Sequence, residues 1–172
     1  MLRLRPYKPG DAEAIVSWSK DEYSFRQWCA NKLEHYPLPA DELNAHYDAM
    51  AGADWYYPMT AFDDTGIVGH LIMRFTDERK TVLRFGFVIV DSARRGQGVG
   101  KEMICLALKM AFEILKAEKV TLGVFENNPA AYHCYKAAGF REDPAKPPAY
   151  YPLLGEKWKC VDLCIERPEN HL

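Results

Sequence analysis

Apolar and polar positions alternate through Leu2 and Leu4, which predicts a short edge strand at the start of the chain. Pro9-Gly10-Asp11 then supplies a turn and an N-cap for a helix with Ala14, Ile15 and Trp18 on one face. Between residues 21 and 50 the pattern is helical but broken at Pro37 and Pro39, and it is dense in aromatics: Tyr23, Phe25, Trp28, Tyr36 and Tyr47. Residues 57–62, 66–75 and 81–90 read as three strands of an antiparallel meander, the first two joined through Asp63-Asp64-Thr65-Gly66.

The clearest helical period covers residues 98–117, with Met103, Leu106, Ala107, Met110 and Ile114 on one stripe and Lys101, Glu102, Lys109 and Glu113 away from it. Residues 120–125 predict a buried strand and residues 129–138 a short helix, entered through Pro129 and ended by Gly139, after which Phe140 starts a return strand. A proline-rich loop at 144–152 leads into residues 157–166, where Val161, Leu163 and Ile165 alternate with Trp158, Cys160 and Asp162 as in a half-buried strand. The element order predicts one α/β (α+β) domain over residues 1–172, a mixed, mostly antiparallel central sheet flanked by helices.

At 48% hydrophobic and 27% charged residues, disorder, collagen-like repeats and disulfide-stapled miniproteins are poor fits. A net charge of -2 gives no global positive field for nucleic acid or anionic lipid, so any anion site must be local. The longest apolar stretches, such as residues 85–90, are far shorter than the roughly 20 residues of a membrane-spanning helix, and the opening MLRLRPYKPG has no signal-peptide core. A cytoplasmic location is therefore expected. The 5 cysteines are scattered, odd in number and without a CxxC pair, which predicts reduced thiols and no metal site.

The segment richest in chemistry is a strand at 85–90 running into Asp91-Ser92-Ala93-Arg94-Arg95-Gly96-Gln97-Gly98-Val99-Gly100-Lys101 and then a helix. Glycines at alternate positions let a ligand approach the backbone, and the free N–H groups and dipole of a helix N-terminus suit a pyrophosphate. Arg94, Arg95 and Lys101 add charge. A P-loop is excluded, because Arg95 and Glu102 stand where it needs Gly and Ser/Thr. A dinucleotide GxGxxG starting at Gly96 fails at Lys101, and no β-α-β crossover to a parallel dinucleotide sheet is evident. What remains is Arg95-x-x-Gly98-x-Gly100.

That loop resembles the pyrophosphate loop of the GNAT N-acetyltransferase superfamily, Gln/Arg-x-x-Gly-x-Gly/Ala between strand and helix. A second, independent stretch from Glu126 to Phe140 resembles the family's later motif: Asn128, then Ala131, then Tyr135 seven residues after the Asn, then Gly139-Phe140. The resemblance covers residues 66–166 as an acetyl-CoA-binding core and leaves residues 1–60 as a variable acceptor-side region. Through Trp18 and Asp21 that region is similar in outline to the branch of ribosomal-protein and small-molecule acetyltransferases.

The resemblance implies acetyl-CoA as co-substrate. Backbone groups of Val88, Ile89 and Val90 would bond the pantetheine arm, with an N–H near Val88 polarising the thioester carbonyl. Arg95, Gly96, Gln97, Gly98, Val99, Gly100 and Lys101 would hold the pyrophosphate, and Asn128 would contact the cofactor. Tyr135 would protonate the departing thiolate, a task open to a phenol with an ordinary pKa of about 10.

Acetyl transfer to an amine also needs a proton acceptor, and here the chain departs from the pattern. Gly123 stands where some relatives carry a base Glu, and the strand entering the loop has Gly86, Phe87 and Val88 in place of an acidic residue. Glu126, Asp21, Glu22 and Asp54 are the nearest alternatives, water is another, and the base is unassigned. His133 falls on a different helix face from Tyr135. Trp18, Tyr23, Trp28, Trp55, Tyr56, Tyr150 and Tyr151 are candidates for receiving a cationic amine, each weighed against a plain core role. The expected function is transfer of acetyl from acetyl-CoA to a primary amine of a small molecule or a protein N-terminus. The alternative is a non-catalytic acyl-CoA-binding sensor or interaction module. No nucleic-acid or membrane partner is expected, and the edge of the final strand is open to pairing in a homodimer.

Overall fold

Strand β4 (Val82–Val90) buries every second residue, yet its buried residues belong to two different cores. Leu83 and Phe85 join a cluster beneath helix α4 (Val99–Lys109), whereas Phe87 and Ile89 join one beneath α1 (Ala12–Ser17), α2 (Glu22–Cys29) and α3 (Ala40–Asp48). The cause is a bulge: His70 pairs with Ile89 but Ile72 with Gly86, so β4 spends one residue more than its neighbour β3 (Gly66–Phe75), and Phe87 takes φ +49. One inserted residue reverses every side chain beyond it.

The computed structural model describes residues 1–169. Its 8-stranded sheet runs β1 (Arg3–Pro6), β2 (Tyr56–Asp63), β3, β4, β5 (Lys119–Phe125), β8 (Glu156–Glu166), β6 (Arg141–Glu142), with β7 (Ala149–Leu153) also paired to β8. Strands β1 (Arg3–Pro6), β2 (Tyr56–Asp63), β3 and β4 form the expected antiparallel run, and β5 (Lys119–Phe125) lies parallel to β4. The mixed, mostly antiparallel sheet between helices is as expected. Pairing of β4 with β5 covers only Val82–Arg84 against Lys119–Thr121; beyond that point the strands splay.

Several expectations need correction. The long helix ends its regular part at Lys109 and continues as a π-helical turn, Met110–Ile114. The wider turn shifts the phase of its side chains, so Ala111 is buried and Ile114, expected on the buried stripe, is 69% exposed. Within the proline-rich stretch lies a strand, β7 (Ala149–Leu153), joined to β8 (Glu156–Glu166) by a tight turn in which Leu154 and Gly155 have positive φ. Pro152 is tolerated because β7 pairs on one side only. The return strand is limited to β6 (Arg141–Glu142), while Phe140 packs into the core.

The final strand β8 is not an edge. It is held by β5 on one side and by β6 and β7 on the other, so the homodimer route through its edge is closed. Nor is β8 simply half-buried, since Leu163 and Cys164 are both at 0% exposure. Asp11 does not cap α1 through its side chain. Its carboxylate instead accepts from Arg5 at 2.7 and 2.8 Å, from Thr60 at 2.8 Å and from the Lys8 amide at 3.0 Å. Pro9-Gly10-Asp11 forms a short 3-10 turn leading into α1.

Candidate active site

The splay of β4 from β5 opens a cleft of about 730 Å3, lined by Phe85 to Val90 of β4, Leu122 to Phe125 of β5, the loop before α4 and the inner face of α5 (Pro129–Ala137). This volume lies within the range of small-molecule and cofactor sites. Over Phe85 to Val90, β4 has no partner strand on the β5 side, which leaves backbone N–H and C=O groups facing the cleft. Val88, Ile89 and Val90 stand together on this wall.

At the far end of the wall the chain turns through Ser92–Arg94 into the glycine loop. Gly96 and Gly98 have φ of +74 and +80, and a Cβ on either would meet nothing within 4 Å, so their conformation, not crowding, calls for glycine. Gly98 is the N-cap of α4 and offers no side chain to its first turn, leaving the N–H groups of Val99, Gly100 and Lys101 without intrahelical partners. Gly100 is close-packed: a Cβ there would lie 3.5 Å from Cys134 Sγ and 3.6 Å from Val90 Cγ2.

The basic residues divide. Arg94 lines the cleft while held by the scaffold, paired with Asp63 at 3.0 Å and donating to Thr65 Oγ1 at 3.1 Å. Arg95 lines the cleft and donates to the Trp18 carbonyl at 2.9 Å, tying the loop to α1. Lys101 lines the cleft on the exposed side of α4. The Gln97 side chain is bonded within the loop, accepting from Arg94 Nε and donating to the Ala93 carbonyl, each at 3.3 Å.

From α5 the structure brings in Asn128 and Tyr135. Asn128 caps α5, its side-chain oxygen accepting from the Ala131 amide at 3.2 Å. Tyr135 is 7% exposed, packs edge-on against Phe140 with ring centroids 6.2 Å apart, and lines the cleft. Its hydroxyl has no hydrogen-bond partner among the described residues, and burial pushes its pKa far above the ordinary phenol value. Burial likewise raises the neighbouring Cys134 thiol. His133 lines the cleft from an exposed position.

Sequence reasoning missed how α2 is attached. Gln27 Nε2 donates to the carbonyl of Asn127 at 3.1 Å and to its side-chain oxygen at 3.2 Å, fixing α2 over the cleft. Trp28 thereby becomes a buried wall residue whose Nε1 has no partner among the described residues, an unsatisfied donor beside the cleft. Of the other aromatic candidates, Trp18 and Tyr56 are buried in the second core, while Tyr23, Trp55 and Tyr150 are exposed.

The candidate bases are all engaged elsewhere. Asp21 caps α2 through the Ser24 amide at 2.7 Å, Asp54 pairs with Lys80 at 2.6 Å, Glu22 with Arg26 at 3.8 Å and Glu126 with Lys159 at 3.6 Å. Among the described residues no carboxylate lines the cleft. The space beside Gly123 is filled: Arg84 crosses it to grip Asp162 on β8 through two bonds of 3.2 and 3.1 Å, with Thr121 Oγ1 at 3.3 Å. A Cβ on Gly123 would stand 3.0 Å from Arg84 Nη2 and 2.9 Å from Cys160 Sγ. Glycine at this position admits the ion pair, which explains the departure from the family pattern.

A bulged strand splayed from its parallel neighbour, a glycine-opened helix N-terminus and a buried tyrosine define an acyl-CoA-dependent acyltransferase. The family model described as an acetyltransferase (GNAT) domain matches residues 1–141, and the chain belongs to that family. It is an acetyl-CoA-dependent N-acetyltransferase. The chain is 27% identical over 142 residues to an SPbeta prophage-derived uncharacterized N-acetyltransferase of Bacillus subtilis, covering 83% of this chain and 77% of that protein. It is 24% identical over 142 residues to the spermidine N(1)-acetyltransferase of Vibrio cholerae, covering 83% and 80%. The crystal structure of the Vibrio cholerae spermidine N-acetyltransferase in complex with CoA and spermine superposes with a TM-score of 0.82 at 22% identity, covering 96% of this chain and 95% of that one. Among the described residues, no helix is long and apolar enough to cross a membrane.

Proposed function

We propose that the protein transfers the acetyl group of acetyl-CoA to the primary amine of a small molecule, with Tyr135 as the acid. The observation that carries this reading is the convergence on one cleft of an unpartnered β4 edge, the glycine-opened α4 and the Tyr135 hydroxyl. Bound there, acetyl-CoA supplies an activated acetyl thioester. The N–H groups of the first turn of α4, the loop from Arg95 through Gly100, and Lys101 hold its pyrophosphate. The backbone of Val88, Ile89 and Val90 receives the pantetheine arm as an added strand, and Asn128 stands at the start of α5 to contact it.

An N–H near Val88 stabilises negative charge developing on the thioester oxygen. Tyr135 keeps its proton, because burial disfavours the phenolate, and delivers it to the departing sulfur. The proton of the acceptor ammonium passes to water before attack, the cleft offering no carboxylate to take it, and the second proton that the nitrogen sheds as the amide forms replaces, through water, the one Tyr135 gives to the sulfur. The spermidine acetyltransferases among the relatives support a small-molecule amine rather than a protein N-terminus.

Thermal unfolding with acetyl-CoA, against ATP and NADH, tests the cofactor assignment. At about 100 times its dissociation constant a ligand adds about 2.7 kcal/mol, a rise of roughly 5 to 11 °C for a domain of this size. No rise with acetyl-CoA would remove the reading. A rise without CoA release across an amine panel would point to the non-catalytic module.

A further inference from the structure

The cleft has two sides of different chemistry. Its basic side chains, Arg94, Arg95, Lys101 and His133, come from the loop before α4, from α4 itself and from α5, the side given to the cofactor. The other side is built by Ser24, Gln27 and Trp28 of α2 and by the C-terminal half of β5, and among the described residues it carries no ionisable side chain. Of its two polar side chains, Gln27 is committed to Asn127 at 3.1 and 3.2 Å. The rest is apolar, and its rings come from separate cores. Trp28 lies against Phe87 of the β4 bulge, ring centroids 5.5 Å apart, while Phe125 at the end of β5 is backed by Trp158 at 5.2 Å and Tyr151 at 5.5 Å.

Chain direction places this side at the reacting end. The glycine loop follows Val90, so a cofactor with its pyrophosphate in that loop and its arm along Val90 to Val88 points its acetyl group toward Phe87, against which Trp28 is packed. The nitrogen that attacks must first shed its charge. A monoamine thereafter brings no charge into the cleft, and its apolar body leaves water against Trp28, Phe87 and Phe125. Aromatic faces also attract the single ammonium on its way in. A polyamine keeps further charges, which find no carboxylate on this side and basic residues on the other, so each one drawn into the cleft is desolvated without a partner.

We infer that the acceptor is a primary monoamine with an aromatic or similarly flat apolar body, and that Trp28 and Phe125 select it. This assignment rests on the acetyltransferase reading and names the substrate class of the same site. It sets the chain apart from the spermidine acetyltransferases to which it is similar.

The test uses amines that share a four-carbon arm: 4-phenylbutylamine ends in a ring, n-butylamine in a methyl group and putrescine in a second ammonium, with spermidine alongside. The ring lies too far from the nitrogen to change its basicity, so the first two differ in apolar contact alone. CoA formation, followed by chromatography, gives kcat/KM. On the wild type 4-phenylbutylamine is expected to exceed n-butylamine by about tenfold or more, and n-butylamine to exceed putrescine and spermidine. Phe125→Leu and Trp28→Phe keep an apolar wall but remove or shrink a ring, and each is expected to cut the first ratio by about 3- to 10-fold. Ser24→Glu puts a carboxylate at a half-buried position of the same wall and is expected to shift the enzyme toward putrescine by about threefold or more.

Equal kcat/KM for 4-phenylbutylamine and n-butylamine, a preference for putrescine or spermidine, or ratios unmoved by all three substitutions would overturn the assignment while leaving the acetyltransferase standing. The wild-type comparison decides the matter even where a variant fails to fold. A melting temperature raised by acetyl-CoA, with CoA released to none of the four amines, would also overturn the assignment and leave the cofactor site. No rise with acetyl-CoA would remove the acetyltransferase reading itself.

Discussion

Replacing Tyr135 with Phe separates chemistry from packing at a single oxygen atom. The ring sits in the main core at 7% exposure against Phe140, and Phe keeps that packing. The hydroxyl has no partner among the described residues. Because the hydroxyl borders the cleft and makes no hydrogen bond within the described residues, its removal leaves stability nearly unchanged. At roughly 2–4 °C per kcal/mol for a domain of this size, the melting temperature should stay level to within about 2 °C. Loss of a general acid, by contrast, costs about 10²- to 10⁴-fold in turnover, or about 3–5 kcal/mol of barrier.

The expected result for Tyr135→Phe is therefore a lower kcat with an intact fold and an acetyl-CoA affinity close to wild type. CoA should be quantified by chromatography, because the exposed Cys105 would react with a thiol reagent. Calorimetry with acetyl-CoA and a thermal scan complete the comparison. An unchanged kcat would remove Tyr135 from the mechanism. A fall in turnover accompanied by an equal fall in melting temperature would reduce it to a packing residue.

Gly123→Glu, which would reinstate the acidic residue of some relatives, is expected to lower stability by about 1–3 kcal/mol without raising turnover, since its Cβ collides with Arg84 Nη2 at 3.0 Å and Cys160 Sγ at 2.9 Å. A faster enzyme with an unaltered melting temperature would contradict this. His70, at 0% exposure with Tyr47 Oη 2.6 Å from its Nε2, has its pKa depressed by burial from 6.5 to about 4. The unfolded chain binds its proton first, so the contribution of His70 is complete above pH 6.5 and is lost progressively down to about pH 4. The loss amounts to about 3 kcal/mol, and denaturant titrations across that window should show a slope that His70→Gln lacks. Equal slopes in the two proteins would refute the assignment.

Element order, the glycine loop and the spacing of Asn128, Tyr135 and Gly139-Phe140 were legible in the sequence because each rests on local chemistry. A proline near a first helical turn, a glycine with positive φ and an alternation of apolar residues act within a few positions of the chain. The family resemblance and most of the cleft wall derive from such short-range signals. What local patterning could not carry was the phase of longer elements. A π-helical turn exposes Ile114, and the bulge at Phe87 sends one half of β4 into each core.

Tertiary pairing alone decided the rest. Arg74 and Arg84 stand ten residues apart and meet because β3 and β4 fold back in one particular register. Asp162 joins Arg84 from 78 residues further along the chain, across β5, and Gly123 is small because that ion pair passes over it. Nothing in the residues flanking Gly123 announces this, since a glycine reads locally as freedom of the backbone. Its reason here is the volume claimed by side chains from two other strands. Sequence by itself thus determined the family and the glycine loop, whose contacts are made by adjacent residues. Only the folded sheet decided which side chains meet across strands beside Gly123, because that depends on the register between strands distant in the chain.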